Sequence, residues 1–217
     1  MKTPEIGGLY AITPDLMDTD ALLSRTQQAI VGGARIVQYR NKLAHRSVLI
    51  EQARLLLQLC RDYQVPLIIN DYVDMAADID ADGVHLGQDD TKINDAKKLL
   101  GQNKIIGVSC YNRLDLAIRA EREGASYVAF GACFPSLTKP DAVPVTLDIM
   151  DQASQSISIP MVAIGGIRLT NAKPLIENGC AAIAVCNELF FAKEIACTAA
   201  QFAQMFDETY SERINTF

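Results

Sequence analysis

At 217 residues, with 49% hydrophobic and 21% charged residues, the chain has apolar material for a large core and none of the depletion that marks disorder. A formal net charge of -6 and a pI near 4.9 exclude a surface built to neutralise nucleic-acid phosphates or anionic lipid, so any anion site must be local. No apolar run reaches the roughly 18 residues of a membrane helix, and no basic segment followed by an apolar stretch opens the chain, which implies a soluble, cytoplasmic protein with small-molecule partners.

Short β-rich runs recur along the sequence, each followed by a longer stretch with helical periodicity. In chain order the strands are expected at Gly8 to Thr13, Arg35 to Arg40, Pro66 to Asp71, Gly83 to Gly87, Lys104 to Cys110, Tyr127 to Cys133, Pro160 to Gly166 and Ala181 to Asn187. Helices are expected between them, as at Asp20 to Val31 and Arg46 to Tyr63, where apolar side chains fall at i, i+3, i+4 and i+7. Asp18, Thr19 and Asp20 are all good N-caps for the first of these. Pro66-Leu67-Ile68-Ile69 and Met161-Val162-Ala163-Ile164 are apolar without alternation, as parallel strands covered on both faces should be. Eight such units in about 200 residues imply an α/β fold, a single (β/α)8 TIM barrel over residues 1–217, because an open doubly wound sheet normally stops at five or six strands.

The six cysteines, Cys60, Cys110, Cys133, Cys180, Cys186 and Cys197, form no C-x-x-C pair and mostly sit in apolar runs, which reads as packing. With only His45 and His85, a multi-histidine zinc site is excluded, whereas a carboxylate magnesium site stays open. His85 lies in an apolar strand and reads as a satisfied core histidine; His45 reads as a loop or helix-start residue.

In such barrels the active site lies at the C-terminal ends of the strands. The second strand ends in Gln38-Tyr39-Arg40-Asn41-Lys42, and alternation sends Gln38, Arg40 and Lys42 to one side, toward the mouth. Asn70-Asp71 and Gly87-Gln88-Asp89-Asp90 end the next two strands, so Asp71 and Asp90 can converge on one hard cation with waters and phosphate oxygens in its other positions. The alternative for each carboxylate is capping of the following helix. Ser109 ends the fifth strand, and Ser136, Leu137, Thr138 and Lys139 follow the sixth, offering hydroxyls and an ammonium to phosphate oxygens. Gly165-Gly166 after the seventh strand and Cys186-Asn187 after the eighth occupy the recurrent phosphate position of this architecture. Two anion sites result, one metal-dependent and one metal-free.

Taken together, Leu9 to Thr13, Gln38 to Lys42, Asn70-Asp71, Asp82 to Asp90, Gly107-Val108-Ser109, Thr138-Lys139 and Ala163 to Ile167 resemble the thiamine-phosphate synthase family across almost the whole chain. The resemblance implies an enzyme that joins a pyrimidine diphosphate to a thiazole phosphate, carboxylated or not, by a dissociative, Mg2+-assisted route. It implies that Gln38, Tyr39, Arg40, Asn41, Lys42, Asn70, Ser109 and Lys139 hold the pyrimidine diphosphate, with Arg40, Lys42, Ser109 and Lys139 catalytic. Asp71 and Asp90 would hold Mg2+, and Ser136, Leu137, Thr138, Gly166, Cys186 and Asn187 the thiazole phosphate. The chain departs from the family where Cys110-Tyr111 replace a common histidine, where Asn187 and Ser136 replace serine and threonine, and in a loop after Lys139 that lacks a usual glycine. A related thiazole tautomerase, which does not need the diphosphate-metal half, and a non-catalytic phosphometabolite-binding barrel, which would show an exposed apolar patch, are the competing readings. A homo-oligomer is compatible with the sequence.

If the Lys139 charge acts as the diphosphate departs, Lys139→Ala lowers kcat by about 2–4 kcal/mol of transition-state stabilisation with little change in KM. Steady-state kinetics check this, and wild-type turnover in the variant removes Lys139 from the catalytic set.

Overall fold

Eight short strands, each followed by helix, set the architecture, which the computed structural model describes over residues 6–135 and 144–214. In chain order the elements are β1 (Gly8–Ile12), α1 (Thr19–Val31), β2 (Ala34–Tyr39), α2 (Arg46–Asp62), β3 (Leu67–Asn70), α3 (Val73–Asp78), β4 (Gly83–Leu86), α4 (Ile93–Leu100) and β5 (Ile105–Tyr111). There follow α5 (Leu114–Arg122), β6 (Tyr127–Phe130), α6 (Leu147–Ser156), β7 (Met161–Ile164), α7 (Lys173–Glu177), β8 (Ala182–Val185), α8 (Asn187–Phe190) and α9 (Ile195–Ile214). Every strand pairs in parallel with its sequence neighbours, and β8 returns to β1, closing the barrel. Among the described residues no helix is long and apolar enough to cross a membrane.

The expected elements are present with ends shifted by one to three residues, most at β6, which stops at Phe130 and not at Cys133. Asp18 caps α1 by accepting from the Ala21 amide at 3.0 Å, so the helix begins at Thr19. His45 is the N-cap residue of α2. The last strand stops at Val185, and Asn187 opens the short α8 with Cys186 as its N-cap residue.

Period-two alternation divides the core into two layers. Leu9, Val37, Ile69, Val84, Ile106 and Ile183 face outward into one cluster with helix residues such as Leu22, Leu56, Ala96 and Phe202. Tyr10, Ile12, Ile36, Ile68, Ile105, Tyr127, Ala129, Val162, Ala182 and Ala184 form a second cluster inside the barrel. Four of the cysteines, Cys60, Cys110, Cys133 and Cys180, are buried, and burial pushes each thiol up to about 12, so they pack as small hydrophobes.

Gly107 is an interior position that must be glycine. Gly107 pairs with Tyr127 across β5 and β6, and a Cβ on Gly107 would lie 2.0 Å from Tyr127 Cζ. The missing side chain is the space through which the phenol crosses the barrel to meet the Tyr10 hydroxyl at 2.8 Å. Gly107→Ala is therefore expected to displace the ring and cost about 1–3 kcal/mol of stability, as overpacked cores do. Urea denaturation reads this as a lower midpoint, and an unshifted midpoint contradicts it.

Candidate active site

At the C-terminal rim, the end of β1 organises the cations that leave β2. Thr13, fully buried, continues the ladder with its amide donating to the Gln38 carbonyl at 2.9 Å. Its hydroxyl accepts from the Arg40 amide at 2.9 Å and lies 3.0 Å from the Arg40 carbonyl as donor. Asp15 then takes the Arg40 guanidinium, with both carboxylate oxygens 3.2 Å from Nη1, and accepts the Lys42 amide at 2.7 Å. Lys42 reaches the other way, its ammonium 3.8 Å from an Asp71 oxygen. Arg40 and Lys42 are thus held between two carboxylates.

Asp71 leaves β3 in the left-handed region, at φ 64°, while its amide still donates to the His85 carbonyl at 2.9 Å. That turn brings its side chain within electrostatic reach of Asp90. Asp90 in turn accepts from the Gly87 amide at 2.6 Å. Neither carboxylate caps a helix: the N-cap residues of α3 and α4 are Tyr72 and Lys92, without side-chain capping bonds. Partial burial, and next the negative charge of Asp90, hold the Asp71 carboxyl above the usual carboxylate range, with Lys42 and Arg40 pulling it down. The negative charge of Asp90 beside Asp71 is one that a divalent cation can offset. Among the described residues no group of three or more His, Cys, Asp or Glu converges, so an ion here would have two carboxylates and take its remaining oxygens from water and phosphate, as suits Mg2+.

The other expected residues divide by strand parity. Gln38 and Ser109 point into the barrel: Gln38 donates to the Tyr10 hydroxyl at 2.9 Å, and Ser109 Oγ lies 2.8 Å from His85 Nε2. Asn70, half-buried, sits opposite His85 at the end of β3. Tyr39 and Asn41 go to the helix side, where they build the loop and do not reach the mouth. The Tyr39 hydroxyl donates to Gln52 at 2.8 Å, and the Asn41 amide donates to the Leu16 carbonyl at 2.9 Å. Asn41 also accepts the amides of Leu43 and Ala44, both at 3.1 Å.

On the far rim, Gly166 has φ 64°, and a Cβ there would lie 2.6 Å from both the Phe134 and Pro135 carbonyl oxygens. Glycine at this position lets the loop after β6 lie directly on the loop after β7, so a larger residue would displace loop backbone as well as any phosphate. Burial pushes the Cys186 thiol up to about 11, offset in part by Arg40. Asn187 is exposed beside it, 3.5 Å from the thiol. Ser136, Leu137, Thr138 and Lys139 lie outside the described residues.

Asp15, Thr13, Tyr10 and Tyr127 were not singled out by the sequence. The signal for Asp15 was present: two cations leaving β2 need a counter-charge, and the end of the adjacent β1 is where one can come from. His85 is buried with both ring nitrogens hydrogen-bonded, as a core histidine should be, yet its partners lead to Ser109.

The model of the family described as thiamine monophosphate synthase matches residues 9–189. The chain is 54% identical over 202 residues to thiamine-phosphate synthase of Nitrosospira multiformis, covering 93% of this chain and 86% of the relative. It is 48% identical to the enzyme of that name from Nitrosomonas eutropha, covering 95% and 97%. A solved thiamine phosphate pyrophosphorylase from Pyrococcus furiosus superposes with a TM-score of 0.84 at 34% identity, covering 93% of this chain and 96% of that one. The chain belongs to the thiamine monophosphate synthase family and is an enzyme of the transferase class.

Because the Asp71 carboxyl is raised in the folded state, its contribution to stability is present at low pH and lost as pH climbs above the unfolded value of about 3.9. Asp71→Asn removes that loss and suits the left-handed backbone. In EDTA at neutral pH the variant is expected to melt above wild type, by about 2–4 °C per kcal/mol of relieved repulsion. A lower Tm would mean that the carboxylate stabilises the apo fold.

Proposed function

We propose that this member of the thiamine monophosphate synthase family condenses 4-amino-2-methyl-5-(diphosphooxymethyl)pyrimidine with 4-methyl-5-(2-phosphooxyethyl)thiazole, or its carboxylated form. The products are thiamine phosphate and diphosphate, together with carbon dioxide when the thiazole is carboxylated. The observation that carries this reading is the placement of Arg40 and Lys42 beside the Asp71–Asp90 pair on one rim. A carboxylate pair flanked by cations suits a metal-bound diphosphate, and a thiazole tautomerase has no need of it.

The reaction needs no protein nucleophile. The bond between the pyrimidine methylene and the diphosphate oxygen breaks with its electron pair going to diphosphate, and the thiazole nitrogen lone pair then forms the new C–N bond. With the uncarboxylated thiazole no proton is transferred, which fits a mouth with little general-base chemistry. Mg2+ held by Asp71 and Asp90 would supply charge stabilisation on the leaving diphosphate. Arg40 and Lys42 add positive charge, Asp15 holding the Arg40 guanidinium and the Lys42 backbone amide while the Lys42 ammonium lies toward Asp71. Gln38, Asn70 and Ser109 face the pyrimidine half, while Gly166, Cys186 and Asn187 line the thiazole phosphate half. Tyr39 and Asn41 contribute by shaping the loop that carries Arg40 and Lys42.

Mixing the protein with both substrates and Mg2+ should release thiamine phosphate and diphosphate in equal amounts; thiazole isomerisation with no diphosphate would favour the tautomerase. Asp90→Ala is expected to stay folded while losing about 10^2–10^3 in rate, the scale of one strong electrostatic contact. Since both carboxylates would serve one ion, Asp71→Ala combined with Asp90→Ala should cost less than the sum of the two. The measurement is kcat/KM against Mg2+ concentration for the four proteins. Activity that survives EDTA, or an unchanged magnesium dependence in Asp90→Ala, would remove the metal from this site.

A further inference from the structure

We infer that Gln38, Tyr10, Tyr127, His85 and Ser109 form a one-directional chain of hydrogen bonds across the barrel interior, which holds His85 as its Nε2–H tautomer and presents the Ser109 hydroxyl hydrogen to a ligand acceptor at the mouth. The chain is continuous. Gln38 Nε2 lies 2.9 Å from the Tyr10 hydroxyl, which is 2.8 Å from the Tyr127 hydroxyl. Tyr127 lies 2.9 Å from His85 Nδ1, and His85 Nε2 lies 2.8 Å from Ser109 Oγ.

Its direction follows from counting hydrogens. The Gln38 amide nitrogen can only donate, so the Tyr10 oxygen accepts. Tyr10 is 1% exposed and has one hydrogen, and its other hydrogen-bond partner is Tyr127. Were Tyr127 to donate instead, the Tyr10 hydrogen would be buried without an acceptor, and such orphaned donors are rare and costly. Tyr10 therefore donates to Tyr127. The same argument, at 0% exposure, sends the Tyr127 hydrogen to His85 Nδ1. A neutral imidazole that accepts at Nδ1 carries its proton on Nε2 and donates it to Ser109. Ser109 is half-buried at the end of β5, and its own hydrogen is left for the mouth.

His85 and Tyr127 are thus positioning residues, acting through Ser109. The acceptor at the mouth, an aminopyrimidine ring nitrogen or a phosphate oxygen, rests on the reading given under Proposed function. The polarity of the chain does not, and it also couples the two ends: whatever reverses the amide at Gln38 reverses Ser109 from donor to acceptor, on the far side of the barrel.

The test is nitrogen NMR of the imidazoles in the substrate-free protein. The chain has only two histidines, so His45→Gln assigns the signals of His85. In wild type the expected pattern is an unprotonated Nδ1 and a protonated Nε2. Gln38→Glu places at the head of the chain a group that only accepts once ionised. As the introduced carboxyl titrates, followed by its own carbon signal, His85 should pass to the Nδ1–H tautomer. Adding Tyr10→Phe should abolish that response, because the link that transmits it is gone. Nδ1–H in wild type overturns the assigned direction, as does an ionised carboxyl in Gln38→Glu with Nε2–H retained. Substrates are absent throughout, so a failure to form thiamine phosphate would overturn the functional reading alone.

Discussion

Pairing of Gly8 to Ala11 with Ala182 to Val185 closes the sheet, and the geometry of the mouth depends on that closure. Because β1 lies between β8 and β2, its end can hold what leaves β2 while facing what leaves β8. Thr13 and Asp15 grip Arg40 and the Lys42 amide from one side. Cys186 at the end of β8 comes within electrostatic reach of Arg40 and Asp15. An open sheet would leave β1 with one of these neighbours and separate the two sides of the rim.

The charges at the rim are balanced locally, carboxylate against cation. The chain is acidic overall, so its two mouth cations are set locally against Asp15 and Asp71 and not by a basic face. The cost falls on Asp71, which is partly buried, faces Asp90 and binds its proton more tightly than an ordinary carboxyl. A divalent cation would relieve that repulsion, and an anion would take over the cations. The exposed Lys42–Asp71 contact is worth little to stability by itself, and its value lies in placement.

Below the rim, the interior carries polar groups where a barrel of this kind can be filled by aliphatic side chains alone. Two tyrosines, a histidine and a glutamine buried together are costly unless every donor and acceptor is matched. Among the described residues no buried side-chain nitrogen or oxygen lacks a partner. The bare Cα of Gly107 makes this possible by leaving room for the Tyr127 ring. Residues at the mouth and residues at mid-barrel are therefore one hydrogen-bonded unit.

The barrel itself was legible from the sequence, because eight β-rich runs alternating with amphipathic stretches have one economical closed arrangement. Asp71 and Asp90 were legible as neighbours for a related reason, since strand order follows chain order and both leave strand ends on the same rim. The parity of Gln38, Arg40 and Lys42 against Tyr39 and Asn41 was likewise written in the alternation of an extended chain. What the sequence did not disclose were partnerships between strands distant in the chain: Asp15 with Arg40, and Tyr10 with Tyr127, 117 positions apart. His85 shows the boundary well. Its apolar strand determines that it is buried, but only the tertiary structure decides that its two nitrogens join Tyr127 to Ser109, because that depends on which side chains cross the barrel axis at the same height. Periodicity is a local property of the chain, whereas that height is set by the register of all eight strands at once.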